Sequence, residues 1–111
     1  MPKITEEKLA ELRSQFPDAV MLGNPNEDLE AVLRPPTTVE WDMCVESTNS
    51  KDPATRKNAD RVFVMAICLH PDPKGADFQK TAARYPIWVA KLAVQGAKLA
   101  GAEIEFSVKK L

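Results

Sequence analysis

The strongest constraint in the chain is an unbroken run of eight apolar residues, Val62-Phe63-Val64-Met65-Ala66-Ile67-Cys68-Leu69. Leaving such side chains in water forfeits roughly 1.5–3 kcal/mol for each large one. The run is also far short of the roughly 20 residues that cross a bilayer as a helix. It therefore belongs at the centre of a folded core. Two geometries satisfy it: a helix buried on all sides, or a strand buried on both faces. Asp52-Pro53 upstream supplies a cap residue followed by a first-turn proline, whose missing N–H is harmless there. The spacing predicts one helix from Pro53 to about Leu69, wrapped by the other elements, with a strand as the alternative for residues 62–69.

Nine prolines and four glycines cut the rest of the chain into short elements. Thr5 can cap a helix over Thr5–Gln15, with Glu6 and Glu7 at the positive end of its dipole and Leu9, Leu12 and Phe16 on a narrow apolar stripe. Ala19–Leu22 and Leu29–Arg34 flank a segment dense in turn formers and read as a hairpin, with Leu29, Ala31 and Leu33 on one face. Pro35-Pro36 ends it, since proline lacks the donor a ladder needs. Thr37-Thr38-Val39-Glu40 fits a capping box and opens a helix to about Thr48, with Trp41, Cys44, Val45 and Thr48 at helical spacing. After the break at residues 70–75 come a short helix, Ala76–Arg84, and a longer one from Tyr85-Pro86 to about Ala100 that Gly101 can terminate. Ile104, Phe106 and Val108 alternate with polar residues, as in a short strand or an extended tail. The expected fold is mainly α within an α+β frame. A helix plus hairpin (1–36) is followed by a bundle of about four helices (37–102) and a terminal segment (103–111), all one domain.

At 111 residues one modest core is affordable, and 28% charged residues beside 44% hydrophobic ones mark a globular chain. The polar start, Met1–Glu7, resembles neither a signal nor a transit peptide, so the expected location is the cytoplasm. Net charge is −1, which offers nucleic acid no general attraction. The charge is uneven: 4 Lys/Arg against 10 Asp/Glu over residues 1–50, then 11 against 6 over residues 51–111. Halves that fold onto each other, copies that dock head to tail, and separate solvated faces all accommodate it.

The residues that carry chemistry are sparse. His70 is the only histidine, and its place beside Pro71 suits a cap at a helix end. Cys44 and Cys68 both lie among apolar neighbours and read as buried thiols. Two cysteines and one histidine fall short of the usual four metal ligands. The glycines are isolated, so no phosphate-cradling loop exists. Lys51, Arg56, Lys57 and Arg61 interleave with Asp60 and no aromatic platform, as on a solvated helix face. No catalytic, cofactor or metal residue is assigned, and an enzyme is not expected.

Binding is better represented. Ile87, Trp88 and Val89 cannot all face inward on one helix, so an exposed Trp88 would anchor a partner, with Ile87, Lys91 and Arg84 beside it. Small residues at four-residue spacing, Ala93, Ala97 and Gly101 with Gly96 and Ala100, allow close helix approach, inside the molecule or between copies.

The order of these elements resembles the bacteriophage tail assembly chaperones. Arg34-Pro35-Pro36-Thr37 before an acid-containing helix is similar to the K/R-P-T opening of that family. The apolar run ending in His70-Pro71, the Tyr85-Pro86 start, Leu99-Ala100-Gly101-Ala102 and the basic Lys109-Lys110-Leu111 terminus follow in the family's order, over residues 16–111. Pro36 doubles the expected proline, and the position after Thr37 lacks the usual basic residue. The resemblance implies a small helical protein, often multimeric and absent from the finished virion. It would bind the tape measure protein, keep it soluble and help the tail tube protein polymerise around it. A structural virion or head–tail joining protein and a small regulatory nucleic-acid-binding module are the competing classes.

Overall fold

The computed structural model describes residues 4–24, 29–102, 104 and 106–111. Five helices and three strands run in the order α1 (Glu6–Gln15), β1 (Val20–Asn24), β2 (Leu29–Leu33), α2 (Thr38–Thr48), α3 (Pro53–Ile67), β3 (Cys68–His70), α4 (Ala76–Arg84) and α5 (Trp88–Ala97). The last helix continues into a wider turn, Lys98–Ala102. The expected α+β class is the one observed, and the sheet is antiparallel with strand order β1-β2-β3.

The starts of the helices follow from their caps. Thr5 Oγ1 accepts from the Lys8 amide, and Asp52 Oδ1 accepts from the Ala54 amide. At α2 the capping box is complete: Thr37 Oγ1 accepts from the Glu40 amide at 3.2 Å, and Glu40 Oε1 accepts from the Thr37 amide at 2.9 Å. The hairpin strands stand where the alternation puts them, and the turn between them, residues 25–28, lies outside the described residues. Ala31 and Leu33 are buried and Leu29 packs against the same cluster, so β2 turns the predicted face to the core.

The apolar run behaves differently from the expectation. Helix α3 ends at Ile67, and Cys68 to His70 form a strand that pairs with Val32 and Leu33 of β2 across a register shift. Two forces favour this. A residue before proline is pushed out of the helical region, and Pro71 follows His70. In addition, β2 has a free edge whose ladder the strand completes, and the Arg34 amide donates to the Ile67 carbonyl just beyond it. Nor is the run wrapped all round. Phe63, Val64 and Ile67 are buried, whereas Val62 is 56% exposed and Met65 also reaches solvent. On α2, Trp41 and Cys44 pack on the core, but Val45 and Thr48 do not join it, because that helix lies along the flank of α3.

The core sits between one face of the sheet and the helices α3, α4 and α5. Phe63 meets Trp41 edge to face at 5.7 Å between ring centroids, and Phe78 meets Trp88 at 5.2 Å. The small-residue row serves this packing. A Cβ on Gly96 would lie 2.6 Å from Ile67 Cδ1 and 2.7 Å from Phe63 Cε2, so only glycine lets α5 approach α3 this closely. Gly101, at φ 108°, ends the helical stretch in a conformation that side chains disfavour. Helix α1 lies on the other side of the sheet. The Ile4 amide donates to Glu30, and Leu12 and Val32 are both buried yet outside the helical cluster. The described part of the C-terminal segment forms no strand.

Candidate functional site

Between the hairpin and α5 runs an open apolar groove of about 520 Å³. Its position follows from the fold: Leu22, Leu29 and Ala31 face the core side of the sheet, and α5 crosses that side without covering the outer strand. Met21, Leu22 and Gly23 of β1 and Leu29 and Ala31 of β2 make one wall. Trp88, Lys91, Leu92 and Gln95 of α5 make the other, and Tyr85 and Ile87 close one end. On the lips, Met21 is 51% and Ile87 65% exposed. Lys91 is exposed and, among the described residues of the lining, is the one that carries a charge at neutral pH.

Three of the four residues singled out in the sequence, Ile87, Trp88 and Lys91, meet in this groove. Their roles differ from the expectation. Trp88 is 8% exposed and belongs to the core, packed on Phe78, with only an edge reaching the groove. The side chain standing free is Ile87. Arg84 is exposed just outside, its guanidinium 5.3 Å from the centroid of the Tyr85 ring. The hairpin wall was not anticipated as part of a binding surface. Its signal lay in Val20-Met21-Leu22, an apolar strand with nothing assigned to cover it.

The groove has a second property. Strand β1 is an outer strand of the sheet, and among the described residues no chain pairs with its free side. Edge strands are usually protected by charge, proline or a bulge. Val20-Met21-Leu22-Gly23-Asn24 carries no charge and no proline. Apolar walls and unpaired backbone donors and acceptors therefore lie side by side. That combination binds a polypeptide by apolar anchors and main-chain hydrogen bonds.

Elsewhere the chemistry is structural. Arg34 donates two hydrogen bonds to Glu40, at 2.7 and 2.6 Å, and further bonds to the carbonyls of Ala66 and Pro35 at 2.8 and 3.2 Å. This one side chain joins the end of β2, the start of α2 and the end of α3. Those bonds, then burial acting in the opposite direction, leave the Glu40 carboxyl held down at about 2. Cys68 is buried, and desolvation pushes its thiol up to about 12 while its Sγ donates to the carbonyls of His70 and Pro71. Cys44 is half-buried, and neither cysteine is in a disulfide. His70 does not cap a helix. It lies in β3, with Nε2 buried and without a hydrogen-bond partner among the described residues. Among the described residues no cluster of three His, Cys, Asp or Glu side chains is placed to hold a metal. Lys51, Arg56 and Lys57 are exposed and Arg61 is half-buried. Arg56 donates to the Ser50 carbonyl and Arg61 to the Gln79 side chain. No helix among the described residues is long and apolar enough to cross a membrane.

No family model matches the sequence, and no curated protein does. Solved structures do match. An uncharacterised protein from Bacillus stearothermophilus is similar with a TM-score of 0.71 and 14% identity, over 91% of this chain and 99% of that one. The tail assembly chaperone of bacteriophage HK97 is similar with a TM-score of 0.48 and 20% identity, over 85% of this chain and 98% of that one. At such identities a likeness speaks of the fold alone.

Proposed function

We propose that this chain is a phage tail assembly chaperone, a non-enzymatic protein that binds the tape measure protein in the host cytoplasm and assists assembly of the tail tube around it. The observation that carries the reading is the open apolar groove between the hairpin and α5. A holdase for a long, sticky helical client needs such a surface and needs no reactive group. From Ile87 to Gln95 the α5 wall spans about 12 Å at 1.5 Å per residue. That is the length over which an amphipathic helix presents apolar anchors at i, i+3 or i+4, and i+7.

The resemblance over residues 16–111 supports the same reading, because the residues that carry it have work in the fold. Arg34 and Thr37, from the K/R-P-T-like segment, hold the joint between β2 and α2. Gly101, in the Leu99–Ala102 segment, takes the left-handed conformation that ends the last helix.

The test is co-expression with the tape measure protein of the same genome, followed by affinity capture. The tape measure protein should remain soluble and co-purify. Ile87→Asp combined with Lys91→Glu should abolish capture without lowering the melting temperature. A tape measure protein that neither binds nor gains solubility refutes the proposal. So does stoichiometric recovery of this chain from purified virions, which would instead mark a structural virion or joining protein.

A further inference from the structure

We infer that the free edge of β1 accepts the C-terminal segment of a second copy of this chain as a fourth strand. The donor is residues 104–110. Beyond Ala102 the described chain forms no element, and its apolar side chains stand exposed: Ile104 is 65%, Phe106 86% and Val108 97% exposed. The radius of gyration is 15.5 Å, against about 13 Å for a compact chain of this length. The chain as a whole is thus more extended than a compact domain of this length. Isolated apolar side chains on a surface are ordinary, but a terminal stretch that alternates Ile104, Phe106 and Val108 with polar residues is patterned for one buried face.

The acceptor matches in length, face and charge. Ile104–Val108 and Val20–Asn24 are each five residues, about 17 Å in an extended strand. Laid antiparallel to β1, Phe106 falls opposite Leu22 and Val108 opposite Val20. Partners across an antiparallel pair share a face. Leu22 faces the core side of the sheet, where the groove opens, so Phe106 enters the groove mouth. The same register sets Lys110 opposite the exposed Asp18. More broadly, it brings the basic end of one copy to the half of another that carries 10 Asp/Glu against 4 Lys/Arg. Ser107 then points to the opposite, solvated side.

The inference does not depend on the tape measure reading. Where both hold, client and tail meet at one groove, and binding a client requires displacing a neighbour's tail. Reciprocal donation closes a dimer, and onward donation builds a ring or a filament.

Two full-length variants test it. Phe106→Asp/Val108→Asp removes the donor and keeps the edge. Met21→Lys places a protective charge on the edge and keeps the donor. By sedimentation across a concentration series, the unaltered chain should self-associate. Each variant alone should weaken that association at least about tenfold, with its melting temperature unchanged. An equimolar mixture of the two should restore a mixed complex, since one supplies an intact tail and the other an intact edge. A chain that stays monomeric, variants that associate like the parent, or a mixture that forms no complex would each overturn the inference.

Discussion

Replacing Gly96 by alanine sets two known effects against each other at one position. Alanine is the better helix former, by about 0.8–1.0 kcal/mol in an exposed helix interior. Position 96 is buried in α5, and the new methyl would sit 2.6 Å from Ile67 Cδ1 and 2.7 Å from Phe63 Cε2. Ordinary contact begins nearly 1 Å farther out, at about 3.5 Å between carbon atoms. The Ile67 methyl is a side-chain end, but its residue is fully buried, and the Phe63 ring is held by Trp41 on its other side. Neither can step aside without moving α3 and α5 apart. Overpacking of this sort costs about 1–3 kcal/mol, so the clash outweighs the helical gain. Gly96→Ala should destabilise by about 1 kcal/mol, lowering the melting temperature by about 4 °C. Gly96→Val adds bulk and a β-branch and should lose more than about 3 kcal/mol. The matched control is Val94→Ala on the exposed side of the same helix, expected within about 0.5 kcal/mol of the parent. Urea unfolding followed by circular dichroism measures all three. A Gly96→Ala protein as stable as the parent, or more so, would show that the two helices do not rely on this close approach.

The Arg34–Glu40 joint makes stability depend on pH. Arg34 holds the Glu40 carboxyl at about 2 in the folded chain, below its ordinary 4.5. The contribution is therefore complete above about pH 4.5 and lost as pH falls towards 2, on the order of 1–2 kcal/mol after solvent screening. In Glu40→Gln the urea midpoint should lose this part of its acid dependence, and an unaltered profile would remove the pair from the argument. Trp88→Ala should cost about 3–5 kcal/mol, since the ring is core, whereas Ile87→Ala should change stability by less than about 0.5 kcal/mol; chemical denaturation that ranks them otherwise would reverse their assigned roles. At pH 8 a thiol–disulfide exchange reagent should label Cys44 in the folded chain and leave Cys68 until the protein unfolds, because Cys68 is buried and protonated. Equal labelling rates under native conditions would contradict that placement.

The sequence was most legible where a local chemical rule has one solution. Thr37 and Glu40 stand three apart, each completes the other's hydrogen bond, and the box is present. Asp52-Pro53, the alternation of Leu29, Ala31 and Leu33, and Gly101 at the end of the helical stretch follow the same logic. The reading failed where a distant element decided between two local solutions. Nothing inside Val62–Leu69 says where the helix must stop. The answer comes from the free edge of β2, thirty-odd residues upstream, and from Pro71 immediately downstream. Local spacing likewise leaves Trp88 undecided. Its burial is set by Phe78 on α4, which turns the ring inward and leaves Ile87 outside.

The groove combines both kinds of case. Its α5 wall was half legible, because three consecutive large apolar residues at 87–89 force at least one outward. Its hairpin wall was not, since Val20-Met21-Leu22 marks an apolar strand without saying which of its sides stays open. That openness depends on strand order: β3 adds beside β2 and not beside β1, so β1 stays an edge strand. Were residues 68–70 helical, β2 instead of β3 would be the second edge of the sheet, and β1 would remain the edge that lines the groove. Of the two edge strands, β1 and β3, only β1 lines the apolar groove, which constrains the direction from which another polypeptide can add there. This gives specificity to a surface whose residue types alone would mark it only as sticky.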